Sequence, residues 1–102
     1  MKVILTPTAQ RELEAIGDYI ALDNPRQADR FLGELLSTCQ RLSEFPKRFP
    51  LVDRYETHAI RRCLHGNYLI FCRIEPELVR VLHILHGASD YGELISGEQS
   101  DL

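Results

Sequence analysis

Cysteine is scarce in this sequence, and so is positive charge. Only three cysteines occur in 102 residues, Cys39, Cys63 and Cys72, an odd number set within apolar patterns. That count does not make a disulfide framework and predicts reduced, inert thiols and a cytoplasmic protein. No apolar run approaches the roughly 20 residues of a transmembrane helix, so no membrane association is expected. The patch Val3–Leu5 between Lys2 and Thr6 is far shorter than the apolar region of a signal peptide. Formal net charge is -3. A chain that cradles polyanions carries a clear positive excess, so direct nucleic-acid binding is not expected. Charge is also uneven. Residues 1–45 hold five basic and seven acidic groups, residues 46–86 seven basic and four acidic, and the stretch from Gly87 four acidic and none basic. A basic patch belongs to the middle of the chain alone.

What is present is ordinary globular patterning, 44% hydrophobic and 26% charged, in a length that supports one core. A single domain over residues 1–95 and a flexible acidic tail over 96–102 are expected. Lys2–Leu5 suits an edge strand. Thr6-Pro7 reads as an N-cap followed by proline in the first turn, where its missing amide costs nothing. Ala9, Leu13, Ile16 and Ile20 then recur at steps of 4, 3 and 4, one face of a helix. Gly17 in that helix marks close packing with a neighbour. Asn24-Pro25 repeats the start signal. Ala28, Phe31, Leu32, Leu35, Cys39 and Leu42 predict a second helix of about 20 residues, ended by Phe45-Pro46. The short linker makes the pair an antiparallel hairpin. Residues 46–58 read as an irregular loop.

From Ile60 the period changes to strands. Two runs meet at His65-Gly66-Asn67, where Gly and Asn tolerate the positive φ of a tight hairpin. Glu75-Pro76-Glu77 turns into a third run, Leu78–Leu85. The order β-α-α-β-β-β predicts an α+β two-layer sandwich, the helical hairpin packed on a small, largely antiparallel sheet. Alternation sends Tyr68, Ile70, Cys72 and Ile74 to one face and Leu69, Phe71, Arg73 and Glu75 to the other. Two apolar faces with helices for only one imply a face left open to a partner.

In this order and spacing, four pieces carry a resemblance: Asp18-Tyr19-Ile20 leading to Asn24-Pro25, Leu42 to Phe45-Pro46, the Gly66-Asn67-Tyr68 hairpin, and Leu85-His86-Gly87. Over about Ile4 to Leu94 the chain resembles the ParE branch of the RelE/ParE toxin superfamily. The resemblance implies a toxin of a bacterial type II toxin–antitoxin pair, held in a hetero-oligomer by a ParD-like antitoxin and directed at DNA gyrase. It implies no cofactor. The RelE-like branch cleaves mRNA on the ribosome, which requires cationic and acid–base groups to stabilise the transition state. Its pattern places a basic residue after the hairpin Tyr and another after the last strand's Gly. Here Leu69 follows Tyr68, and Ala88-Ser89 follow Gly87. Tyr91 stands earlier than that pattern's Tyr. A binding toxin without catalytic residues is therefore expected, and a nuclease using Arg61, Arg62 or Tyr91 is the alternative. A third reading is a non-toxic interaction module, since Ser89 precedes Asp90 where ParE-like sequences often carry Arg.

Candidate contacts to an antitoxin or target are Leu32, Leu36, Arg61, Arg80, His86, Ser89 and Asp90. Leu32 and Leu36 widen the apolar arc of the second helix. Arg61 and Arg80 sit in strands, where the alternatives are interface anchors or ion pairs with Glu75, Glu77 or Asp90. Cys63, His65, Cys72, His83 and His86 have poor spacing for zinc, and no metal is expected. Tyr19 and Tyr68 read as core-edge residues, each with one hydroxyl hydrogen bond.

Overall fold

The computed structural model describes residues 1–52 and 58–87. Along these run strand β1 (Lys2–Leu5), helices α1 (Pro7–Ala21) and α2 (Pro25–Gln40), two 3-10 turns (Arg41–Ser43 and Pro46–Arg48), and strands β2 (Ile60–His65), β3 (Tyr68–Ile74) and β4 (Leu78–His86). Both helix starts form as local chemistry dictates. Asn24 Oδ1 accepts from the Gln27 amide at 3.1 Å. Thr6 Oγ1 accepts from the Ala9 amide at 3.0 Å and donates to the Leu82 carbonyl at 3.1 Å. The cap of α1 is thus also its tether to the sheet.

The sheet order is β1-β4-β3-β2. β2, β3 and β4 form the antiparallel meander, while β1 lies parallel to β4, with Lys2 opposite Leu78 and Leu5 opposite Val81. β1 is an edge strand, and β2 is the other edge. The hairpin between β2 and β3 has Gly66 at φ +59°, the positive value that a two-residue turn places on its first central residue.

Both helices pack on one face. Ala9, Leu13 and Ile16 of α1 and Leu35 and Cys39 of α2 meet Cys63, Ile70, Cys72, Val79, Val81 and Ile84. Gly17 lets the helices close. A Cβ there would lie 2.6 Å from Leu32 Cδ1 and 3.2 Å from its Cγ, so Leu32 is an interhelical packing residue. Gly17→Ala gains about 1 kcal/mol of helix propensity and loses about 1–3 kcal/mol to overpacking. A net loss of about 1 kcal/mol in urea-unfolding midpoint analysis is expected.

Two expectations are corrected. α2 ends at Gln40, short of Phe45-Pro46, and Leu42 is carried into the fully buried position by the following 3-10 turn. The tighter turn re-aims Leu42 at the core once the α period has drifted off it. More consequentially, the second sheet face is not left open. Leu69, Phe71 and Leu82 are buried with Ile60 and with Val52 from the loop before β2, and half-buried Leu85 packs beside them. Val52 donates its amide to the Ile60 carbonyl at 2.8 Å, and the Arg62 amide donates to the Pro50 carbonyl at 3.0 Å. The chain folds its own loop along β2 and supplies a second small core.

Candidate functional site

Residues exposed by this packing, rather than those buried, define where a partner can touch. Tyr68, first in β3, stacks at a tilt on Phe31 of α2 with ring centroids 5.5 Å apart, and meets His86 of β4 edge-on at 5.3 Å. Phe31 also meets His65 at 5.5 Å, and His65 Nδ1 lies 2.8 Å from the Thr38 hydroxyl. These rings tie α2 to the hairpin end of the sheet. Beside them opens a shallow groove of about 270 Å³ between α1 and β4, with Ala15, Ile16 and Tyr19 on one wall and Tyr68, Leu85 and His86 on the other. Tyr19 is 73% exposed. It is therefore not a core-edge residue: it stands at the rim of the groove, one helical turn beyond buried Ile16. Tyr68 is half-buried, as a core-edge residue should be.

At the floor of the same region Glu12 reaches the sheet. Its Oε2 lies 3.1 Å from His83 Nδ1, and its Oε1 accepts from the Ile84 amide at 3.0 Å. Ile84 lies beyond the end of β1, whose last pair is Leu5 opposite Val81. The carboxylate supplies the acceptor that a continuing strand would have given.

The expected contact residues do not converge. Leu32 is turned onto Gly17 and the core, whereas Leu36 is 38% exposed on α2. Arg61 donates from Nη1 to the Phe49 carbonyl at 2.7 Å and to the Lys47 carbonyl at 3.3 Å, so it clamps the 3-10 turn before β2. Arg80 is held by Glu75, with Nε at 2.7 Å and Nη2 at 3.1 Å from the two carboxylate oxygens. Arg73 adds a contact to the same carboxylate at 3.4 Å. Ion pairing with Glu75, one of the two alternatives for Arg80, is what the fold forms. His86 is exposed, and along β4 it lies about 20 Å from Arg80. Ser89, Asp90 and Tyr91 lie outside the described residues. Sequence reasoning passed over exposed Leu22, Phe45 and Leu64 and the groove face of Tyr19. Leu64 could have been found, since alternation from buried Cys63 sends it outward on an edge strand.

The Glu75 cluster makes a pH prediction. Hydrogen bonding to Arg80 first, then the charges of Arg80 and Arg73, hold the Glu75 carboxyl below its usual value of 4.5. A depressed folded pKa contributes stability that is full above the unfolded value and lost as pH falls through the folded one. Between pH 6 and pH 3 the wild type should therefore lose more stability than Glu75→Gln, read as urea midpoints at each pH. Parallel midpoint curves for the two proteins would remove the ion pair from the stability account.

Among the described residues no three His, Cys, Asp or Glu side chains gather to hold a metal ion, and no helix is long and apolar enough to cross a membrane. The model of the "ParE toxin of type II toxin-antitoxin system, parDE" family matches residues 3–91. The chain belongs to the ParE toxin family. This ParE-family chain shares its fold with a chain of the chromosomal ParDE toxin–antitoxin system from P. aeruginosa, with TM-score 0.71 and 19% identity over 84% of this chain and 95% of that one. It is similar also to a chain of the toxin–antitoxin complex RelBE2 from Mycobacterium tuberculosis, with TM-score 0.63 and 26% identity over 86% of this chain and 92% of that one. No curated protein matches it. The α+β architecture is that of the ParE and RelE toxins, and the protein is a toxin of the type II toxin–antitoxin class.

Proposed function

We propose that this ParE-family chain arrests growth in the cytoplasm by binding DNA gyrase rather than by catalysis, and that a ParD-like antitoxin neutralises it. The observation that carries the reading is Leu69. In the ribonucleolytic pattern the residue after the hairpin Tyr is basic and faces substrate. Here it is an aliphatic side chain 8% exposed, packed with Val52 and Phe71. A buried leucine neither stabilises a phosphorane nor moves a proton. Of the two strand arginines that a nuclease could use, Arg61 is engaged with two backbone carbonyls and Arg62 is exposed. The exposed apolar and aromatic groove of Tyr19, Leu85 and His86 is suited to protein contact, where aromatic side chains carry much of the binding energy.

The likeness to a chain of the RelBE2 complex keeps a ribosome-dependent endoribonuclease as the second reading. Two measurements separate them. Purified chain added to gyrase in a plasmid supercoiling reaction should block supercoiling at stoichiometric ratios. Inactivity at a large excess counts against the gyrase reading. After induction without antitoxin, mapped mRNA ends should show no new cleavage in the binding reading and codon-phased breaks in the nuclease reading. Vigorous growth on induction would favour a module that has lost toxicity, and a toxic Ser89→Arg variant would locate the loss.

A further inference from the structure

The loop that closes the second core covers only half of the β2 edge. Ile60 and Arg62 use their outward backbone groups on Val52 and Pro50. Leu64, two residues on, points its amide and carbonyl the same way by the alternation of an antiparallel ladder. Among the described residues no backbone group pairs with them on that side. Pro50, without an N–H, is where the covering segment stops as a ladder partner. Among the described residues the strand edge is thereby left open over the end of β2, and native proteins usually protect such an edge.

The side chains around this opening are specific. A recess of about 300 Å³ is lined by Phe49, Pro50, Arg62, Cys63, Leu64 and Leu69. Leu64 is 69% exposed. Arg48 lies over the Phe49 ring at 4.8 Å. Burial raises the Cys63 thiol pKa, while the charges of Arg48 and Arg41 pull it down. Lys47 precedes Arg48 in the same 3-10 turn. Among the described residues no carboxylate stands within ion-pair distance of Arg41, Lys47, Arg48 or Arg62, in contrast to Arg73 and Arg80. An apolar slot lined by Arg62, and by Phe49 with Arg48 over its ring, borders this edge, and among the described residues neither guanidinium has a carboxylate partner.

We propose that the outer edge of β2 at Leu64 binds a short extended peptide of alternating carboxylate and aliphatic residues, added as a fifth strand. Each part of the opening selects one property of that ligand. The outward amide of Leu64 and its carbonyl, which accepts only weakly from the Cys63 thiol at 3.9 Å, select extended backbone, the recess takes one aliphatic side chain, and Arg48 and Arg62 select acidic residues beside it. A second copy of this chain fits poorly, because two-fold pairing at Leu64 would bring Arg48 and Arg62 against their equivalents. This site goes beyond the toxin reading and does not depend on it, since it lies at the opposite edge of the sheet from β1 and away from the Tyr19 groove.

The test uses the full chain and a fluorescein-labelled hexapeptide of alternating glutamate and leucine. Anisotropy should rise saturably, and the largest amide shifts in the protein's NMR spectrum should fall on Leu64 and its neighbours. Arg48→Glu with Arg62→Glu should weaken binding by about tenfold or more. Both side chains are exposed, and circular dichroism of the double variant checks that it folds. A peptide N-methylated at its central leucine should lose affinity by a similar factor. Binding insensitive to both changes, shifts centred on Tyr19 and His86, preferential binding of a single-stranded oligonucleotide, or dimerisation through this edge would each overturn the proposal.

Discussion

Phe71→Ala is expected to remove a large share of the free chain's stability, about 3–5 kcal/mol. Phe71 is fully buried on the sheet face away from the helices, against Val52, Ile60, Leu69 and Leu82. Removing a buried phenyl ring costs about 3–5 kcal/mol in lost transfer energy and residual cavity. A domain of this size has about 5–15 kcal/mol in total. The ring is large, and its neighbours come from a sheet that cannot collapse inward, so the upper part of the range is expected. Denaturant unfolding monitored by circular dichroism reads the loss directly. The outcome decides how the second face works. If that face were a docking surface completed only by a partner, Phe71→Ala would leave the free chain's stability nearly unchanged and weaken the complex instead. A large loss in the free chain establishes that the loop carrying Val52 is part of the folding unit.

That distinction was invisible in the sequence for a physical reason. Alternation along β3 correctly sent Leu69 and Phe71 to one face and Tyr68, Ile70 and Cys72 to the other. What covers a face is a non-local fact. Val52 sits in a stretch with neither helical nor strand periodicity, and its partner Ile60 is reached through a backbone bond, not a pattern. The two helix starts were legible because Thr6-Pro7 and Asn24-Pro25 act within one turn. Gly17 was legible as a packing signal because a glycine that weakens a helix needs a compensating contact, and Leu32 supplies it. Strand order was not legible. The pairing of β1 beside β4 depends on a crossover spanning most of the chain, and nothing in Lys2–Leu5 names its neighbour.

The site was read less well than the fold, again for a definable reason. Arginines in strands look alike in a sequence, yet the fold gives them different work. Arg61 ties a turn through carbonyls, Arg80 is matched by a carboxylate five residues earlier, and Arg62 is left exposed at the edge. Only the third is available to a partner without first breaking something. Tyr19 reads from the sequence as a core-edge residue, like Tyr68. Its position one turn from Ile16 puts it instead at the seam where α1 leaves the sheet.

The thiols give the other large effect. Cys39 and Cys72 are buried, and burial, reinforced by neighbouring thiol charge, pushes both pKa values from 9.0 up to about 12. At pH 8 the thiolate fraction is then about a thousandfold below that of an ordinary thiol, and the thiolate is the species that alkylates. Native chain should react with iodoacetamide at Cys39 and Cys72 only through opening events, so labelling rates should rise with sub-denaturing urea and track unfolding. Cys63, 7% exposed at the β2 edge and with Arg48 and Arg41 opposing its burial shift, should label first. Mass spectrometry of tryptic peptides at timed intervals separates the three. The sign matters for mechanism as well as stability. Thiols held protonated in a helix–sheet core are poor nucleophiles and poor metal ligands, so rapid modification of Cys39 or Cys72 in the folded chain would mean that the helical layer opens far more readily than its packing allows.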